Sequence, residues 1–138
     1  RGDVLMGKAA STGKIAYVST DLDFNVWSPL AILRPDSDRL YGRYLEWALK
    51  QPSAQAQVDM ASTYNTQANI SMDDIGRLKI VLPPLEEQRR IAAYLDEQTA
   101  KIDQLITETE RFIALSRERR SALITAAVTG QIDVREVA

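Results

Sequence analysis

"KIVLPPLEEQRRIAAYLDEQ", residues 79–98, decides how the chain is organised. A short apolar run meets two consecutive prolines, Pro83 and Pro84, and the sequence beyond them is charged, amphipathic and free of Pro or Gly until Gly130. Proline cannot donate to a strand ladder and pushes its predecessor out of the helical region, so the pair ends the preceding element. "LKIVL", residues 78–82, reads as a last strand, and the stretch from Leu85 onward reads as one helix.

The helix has a pattern of its own. Ile91, Leu95, Gln98, Ile102, Leu105, Thr109, Phe112, Ser116, Arg119, Leu123 and Ala126 recur at alternating steps of four and three, a period of about 3.5 residues. That is coiled-coil spacing, and Ile106, Ile113 and Ile124 widen the apolar face beside it. Residues 85–129 span roughly 67 Å at about 1.5 Å per residue. Such a length exceeds any core that the preceding 83 residues can offer, so the stripe is expected to meet another chain or another part of a longer parent. Gly130 is the expected stop, with "QIDV" as a short tail docking back.

Ahead of the prolines the pattern is α+β. "DVLM" (3–6), "KIAYV" (14–18) and "LAILR" (30–34) are short, apolar and partly β-branched, which predicts strands. Leu40, Tyr44, Leu45, Ala48 and Leu49 keep helical spacing, which restarts after Pro52 with Ala54, Val58 and Ala61, predicting two short helices. "TYNTQANIS" reads as a polar loop, and Ser71 before "MDDI" as a helix cap with acids in the first turn. The first strand follows no Met, cap or leader, which suggests the later portion of a larger domain.

Composition narrows the function. Of the 138 residues 45% are hydrophobic and 26% charged, which suits a globular chain, and there is no apolar run long enough to span a membrane. The absence of Cys points to a reducing, cytoplasmic setting, and the absence of His as well removes the usual zinc sites, Ser-His-Asp triads and thiol nucleophiles. A non-catalytic protein without metal or cofactor is the expectation. With a net charge of −2, divided as nine basic against nine acidic residues before the proline pair and eight against ten after it, an anionic partner has to be read by a local patch.

Two segments are candidates for that patch. "GKAASTGKI" imitates a phosphate loop, yet five residues rather than four separate Gly7 from Gly13, Ile15 follows Lys14 where Ser or Thr is needed, and a strand follows where a helix is needed. It reads as a tight turn between strands whose Lys8, Ser11, Thr12 and Lys14 can reach a DNA backbone. In "STYNTQANIS", Asn65, Gln67 and Asn69 have amides suited to base edges, while Tyr64 and Thr66 supply hydroxyls. A solvated turn has the same composition, so both readings stand. Trp47 falls on a helical apolar face and is assigned to the core; Trp27, near Pro29, has no assignment. "RGD" and "NIS" are coincidences in a Cys-free chain.

"GDVLMGKAASTGKIAYV", "STYNTQANISMDDIGRLKIVLPPLEEQRRIAAYLDEQTAKIDQLI" and "LITAAVTGQIDVRE" together resemble the specificity subunit of type I restriction-modification enzymes, over nearly the whole chain. The resemblance implies residues 1–83 as the distal part of a DNA target recognition domain, a small mixed sheet with short helices. It implies residues 84–138 as a spacer and dimerisation helix of coiled-coil type with a short tail. In that family two recognition domains read a split site on double-stranded DNA and long antiparallel helices set their distance, while methyltransferase subunits supply the chemistry. Ile91, Leu95, Ile102, Leu105, Thr109, Phe112 and Leu123 then fall on the helix–helix interface. A full recognition domain is about twice as long as the part ahead of Pro83, and the second one is missing, so a homodimer or a second half-length polypeptide is expected to complete the pair. The alternatives are a remnant that only dimerises or docks methyltransferases, and a nucleotide-binding enzyme, which the loop spacing disfavours most.

Overall fold

The computed structural model describes residues 1–64 and 68–132, with Tyr64 described in its backbone alone. The chain forms two compact units, Arg1–Leu95 and Asp96–Ala138.

In the first unit β1 (Val4–Gly7) lies between β2 (Ile15–Tyr17) and β3 (Leu30–Leu33). Both pairings are antiparallel, with Val4 opposite Tyr17 on one side and Leu33 on the other, so the sheet expected to be mixed has one sense throughout. Alternation along β1 sends Val4 and Met6 to the same face, where both are fully buried.

Helices α1 (Gly42–Lys50) and α2 (Pro52–Ala61) close that face. Pro52 opens α2, where its missing N–H is no loss and its fixed φ suits a helix. Leu45, Leu49 and Val58 join Val4, Met6, Ile15, Ile70 and Ile75 in one core. Hairpin strands β4 (Thr63–Tyr64) and β5 (Ala68–Asn69) come next, then α3 (Met72–Gly76). As the sequence predicts, Ser71 caps α3, its side chain accepting from the Asp74 N–H at 3.0 Å.

Residues 78–82 belong to no ladder, against the expectation of a last strand. Side chains take the place of a partner strand. The Lys79 N–H donates to Gln57 Oε1 at 2.8 Å and Gln57 Nε2 donates to the Lys79 carbonyl at 2.9 Å. Nearby, the Tyr44 hydroxyl donates to the Val81 carbonyl at 2.8 Å. Leu78 and Ile80 meanwhile pack on the core, which satisfies the apolar pattern without a sheet.

Helix α4 (Leu85–Val128) begins at the prolines: the Pro84 carbonyl accepts from the N–H groups of Glu87 and Gln88, and Glu86 and Glu87 complement the helix dipole. Its first turns pack on α1, where Ala92 and Ile91 join Tyr44, Ala48 and the half-buried Trp47. Gln88 is fully buried there. It accepts from the Tyr41 N–H at 2.8 Å and donates to the carbonyls of Arg39 and Pro83 at 2.9 and 2.8 Å. Every buried side-chain polar atom among the described residues has a partner.

In the second unit the apolar side chains of α4, including Ile102, Leu105, Ile106, Phe112, Ile113 and Leu123, are exposed. Gly130, at φ +73°, stops the helix in a Schellman arrangement, with the Gln131 N–H reaching the Ala126 carbonyl at 2.8 Å. The expected docking of "QIDV" falls partly outside the described residues, from Asp133 onward. No helix among the described residues is long and apolar enough to cross a membrane.

Candidate nucleic-acid interface

The turn between β1 and β2 is tight because its backbone folds onto itself. Gly7 N–H donates to the Lys14 carbonyl at 2.9 Å, Gly13 N–H to the Gly7 carbonyl at 3.0 Å, and Lys14 N–H to the Ser11 carbonyl at 3.1 Å. A Cβ on Gly7 would lie 2.1 Å from the Ser11 carbonyl oxygen, so only glycine fits. Gly13 has φ +79°, and the Gln55 side chain fastens its carbonyl to α2 at 3.1 Å.

Backbone pairing brings the second candidate segment against this turn. Ala9 and Asn69 form an isolated antiparallel bridge, and the Ile70 N–H donates to the Lys8 carbonyl at 2.9 Å. Ile70, fully buried in the core, anchors the hairpin from below. The Thr12 hydroxyl reaches the Ala68 carbonyl at 2.8 Å and that of Lys8 at 3.1 Å. Two stretches more than fifty residues apart thus share one surface.

The predicted site residues divide accordingly. Lys14 and Asn69 are exposed, while Lys8, Ser11 and Thr12 are half-buried. Neither lysine forms an ion pair among the described residues, whereas most of the head's other cations are committed: Arg34 to Asp3, Arg77 to Asp74, and both Arg43 and Lys50 to the buried Glu46. Asn65, Thr66 and Gln67 lie outside the described residues, as does the Tyr64 side chain. The predicted helix-interface residues separate as well. Ile91 is packed at the foot of α4 and Leu95 is half-buried, whereas Ile102, Leu105, Thr109, Phe112 and Leu123 are exposed.

Elsewhere on the head, Arg43 lies 5.6 Å from the ring centres of both Tyr17 and Trp47, and Lys50 lies 5.1 Å from that of Trp47. These cations cover the half-buried indole, so Trp47 belongs to the edge of the packing rather than to its centre, and Trp27 is 82% exposed. A cleft of about 570 Å³ opens beside Tyr17, Tyr41, Arg34 and Arg89, with Arg34 held by Asp3 on its wall. Burial, then the neighbouring Glu87 carboxylate, pushes the Tyr44 hydroxyl above the ordinary tyrosine range.

Sequence reasoning missed Gln88 and Gln57. Gln88 precedes Ile91 and Ala92 by three and four residues and so shares their face, the one signal that it points inward.

The chain belongs to the family of the type I restriction modification DNA specificity domain, whose family model matches residues 1–111, the sheet, the short helices and the first part of the long helix. A curated relative is the type I restriction enzyme EcoBI specificity subunit of Escherichia coli, 20% identical over 132 residues, which cover 96% of this chain and 28% of that protein. The chain therefore spans little more than a quarter of that relative's length.

Proposed function

We propose that this chain is a non-catalytic DNA specificity module of a type I restriction-modification system, with residues 1–83 as reader and residues 84–138 as spacer. The observation that carries the reading is the joining of the β1–β2 turn to the β4–β5 hairpin, which sets the two candidate segments side by side, Lys8 and Ala9 against Asn69 and Ile70, in a chain with no overall basic charge. Lysines without ion partners suit phosphate contacts, and the amide of Asn69, with those of Asn65 and Gln67, suits base edges. Ser11, Tyr64 and Thr66 complete the candidate set of contacts, while the Thr12 hydroxyl is turned to the Ala68 and Lys8 carbonyls.

The exposed stripe on α4 supports pairing with a second copy, or with another half-length specificity polypeptide, through antiparallel helices. Methyltransferase subunits are the further partners, placed by the paired module on a split site in double-stranded DNA. The same stripe favours a second reading, in which the chain only dimerises or docks methyltransferases.

A gel shift on mixed-sequence duplex DNA across a salt series separates the two. A reader binds at low salt and weakens steeply as salt rises, because phosphate contacts release counterions. Absence of any shift at low salt leaves the docking role alone.

A further inference from the structure

We infer that Thr12 acts as a positioning residue that holds the β4–β5 hairpin in register on the β1–β2 turn, rather than as a DNA contact itself; this rests on the DNA-reading proposal above. Its hydroxyl has one proton, and the geometry directs that proton inward, to the Ala68 carbonyl at 2.8 Å and the Lys8 carbonyl at 3.1 Å. With the proton engaged inside the protein, the side chain has no donor left for a phosphate.

What the hydroxyl holds is specific. The hairpin meets the turn through a single bridge, Ala9 with Asn69, to which the backbone bond from the Ile70 N–H to the Lys8 carbonyl belongs. A bridge of one residue pair defines a position but poorly resists sliding, since register is secured by repeated pairing. Thr12 adds a side-chain tie on the other side of Asn69, at Ala68, so Asn69 is fixed between two held neighbours. The turn itself is immobilised from beneath, where Gln55 Nε2 donates to both the Gly13 and Leu49 carbonyls, at 3.1 and 2.6 Å. Thr12 therefore couples a rigid basic turn to the amide-bearing hairpin and sets the distance between phosphate contacts and base contacts.

Thr12→Val keeps the β-branched shape and removes the proton; Thr12→Ser keeps the proton and loses one methyl group. Each is compared with the wild-type chain in three measurements. The first is amide hydrogen exchange at Asn69 and Ile70 without DNA. The second is the salt dependence of anisotropy on a random-sequence duplex of about three helical turns. The third is enrichment from a duplex pool randomised at its centre.

With Thr12→Val, exchange at Asn69 and Ile70 is expected to quicken about tenfold and enrichment to fall about tenfold, the scale of one misplaced base contact, while the salt slope stays unchanged because Lys8 and Lys14 are untouched. Thr12→Ser is expected to behave as wild type. A valine variant with wild-type exchange and enrichment overturns the positioning role while leaving DNA reading intact. A valine variant with wild-type exchange but weaker binding to the random-sequence duplex at every salt concentration, with serine behaving as wild type, overturns it too, by showing the hydroxyl on a phosphate. A wild-type chain with neither salt-dependent binding nor enrichment overturns the DNA reading, and this inference with it.

Discussion

Replacing Gln88 with leucine tests how the foot of the long helix is fastened. The two side chains are close in volume, so the change removes hydrogen bonding without opening a cavity. Three bonds are lost: the acceptor of the Tyr41 N–H and the two donors to Arg39 and Pro83. Arg39 is exposed, so its carbonyl can recover a water, whereas the Tyr41 N–H faces a leucine methyl. Neutral bonds contribute about 0.5–1.5 kcal/mol each and an unsatisfied buried donor costs about 1–3 kcal/mol, so after the apolar gain of leucine the net loss is about 2–3 kcal/mol. That is a large part of the roughly 5–15 kcal/mol that holds a domain together. Urea unfolding followed by tryptophan fluorescence reads it directly, because Trp47 packs beside the helix foot. Gln88→Glu is expected to lose more at neutral pH, since a carboxylate there confronts two carbonyls, and to recover in part as the pH falls and the carboxyl regains a donor. A Gln88→Leu midpoint within the error of wild type would falsify the claim that this amide fastens the helix.

Gly7→Ala should destabilise by about 1–3 kcal/mol, because the new methyl meets the Ser11 carbonyl; Gly76→Ala, which meets nothing within 4 Å, should be neutral or stabilise by a few tenths, and equal midpoints for the two variants in thermal melts would contradict the packing of the turn. The raised Tyr44 hydroxyl has an alkaline consequence: above about pH 10 the unfolded chain releases this proton while the folded chain keeps it, so stability falls as pH rises through that range. The slope should lessen in Tyr44→Phe, and identical slopes between about pH 9 and 11 would refute the assignment. Leu105→Glu with Phe112→Glu, on the exposed stripe, should convert a dimer to a monomer in light scattering at micromolar concentration without changing the head's unfolding. A wild-type chain already monomeric there counts against helix pairing.

Much of the fold was legible because local rules and tertiary packing agreed. Pro52 divides α1 from α2, Ser71 caps α3, and Leu45, Ala48, Leu49, Ala54 and Val58 are buried where helical spacing put them. Residues 78–82 were not legible, because a β-branched apolar stretch satisfies strand composition whether its hydrogen-bond partner is a strand or the end of one glutamine. Gln88 escaped for a related reason: a glutamine in a charged helix reads as a solvated residue, and only the three carbonyl and amide groups converging on it show otherwise. For the interface, the residues could be chosen from chemistry, but the adjacency of turn and hairpin depends on Ile70 entering the core, and no local pattern encodes a contact between positions that distant.

The fastening of Lys79 by Gln57 bears on how this architecture can change over evolutionary time. A ladder enforces parity: deleting one residue turns every later side chain to the opposite face. An amide on a flexible stem enforces none, since it can track a backbone that lengthens or shortens beneath it. Parity at the approach to the proline pair is therefore kept by Leu78 and Ile80 packing on the core rather than by a ladder, so a change of two residues there disturbs the head less than a change of one.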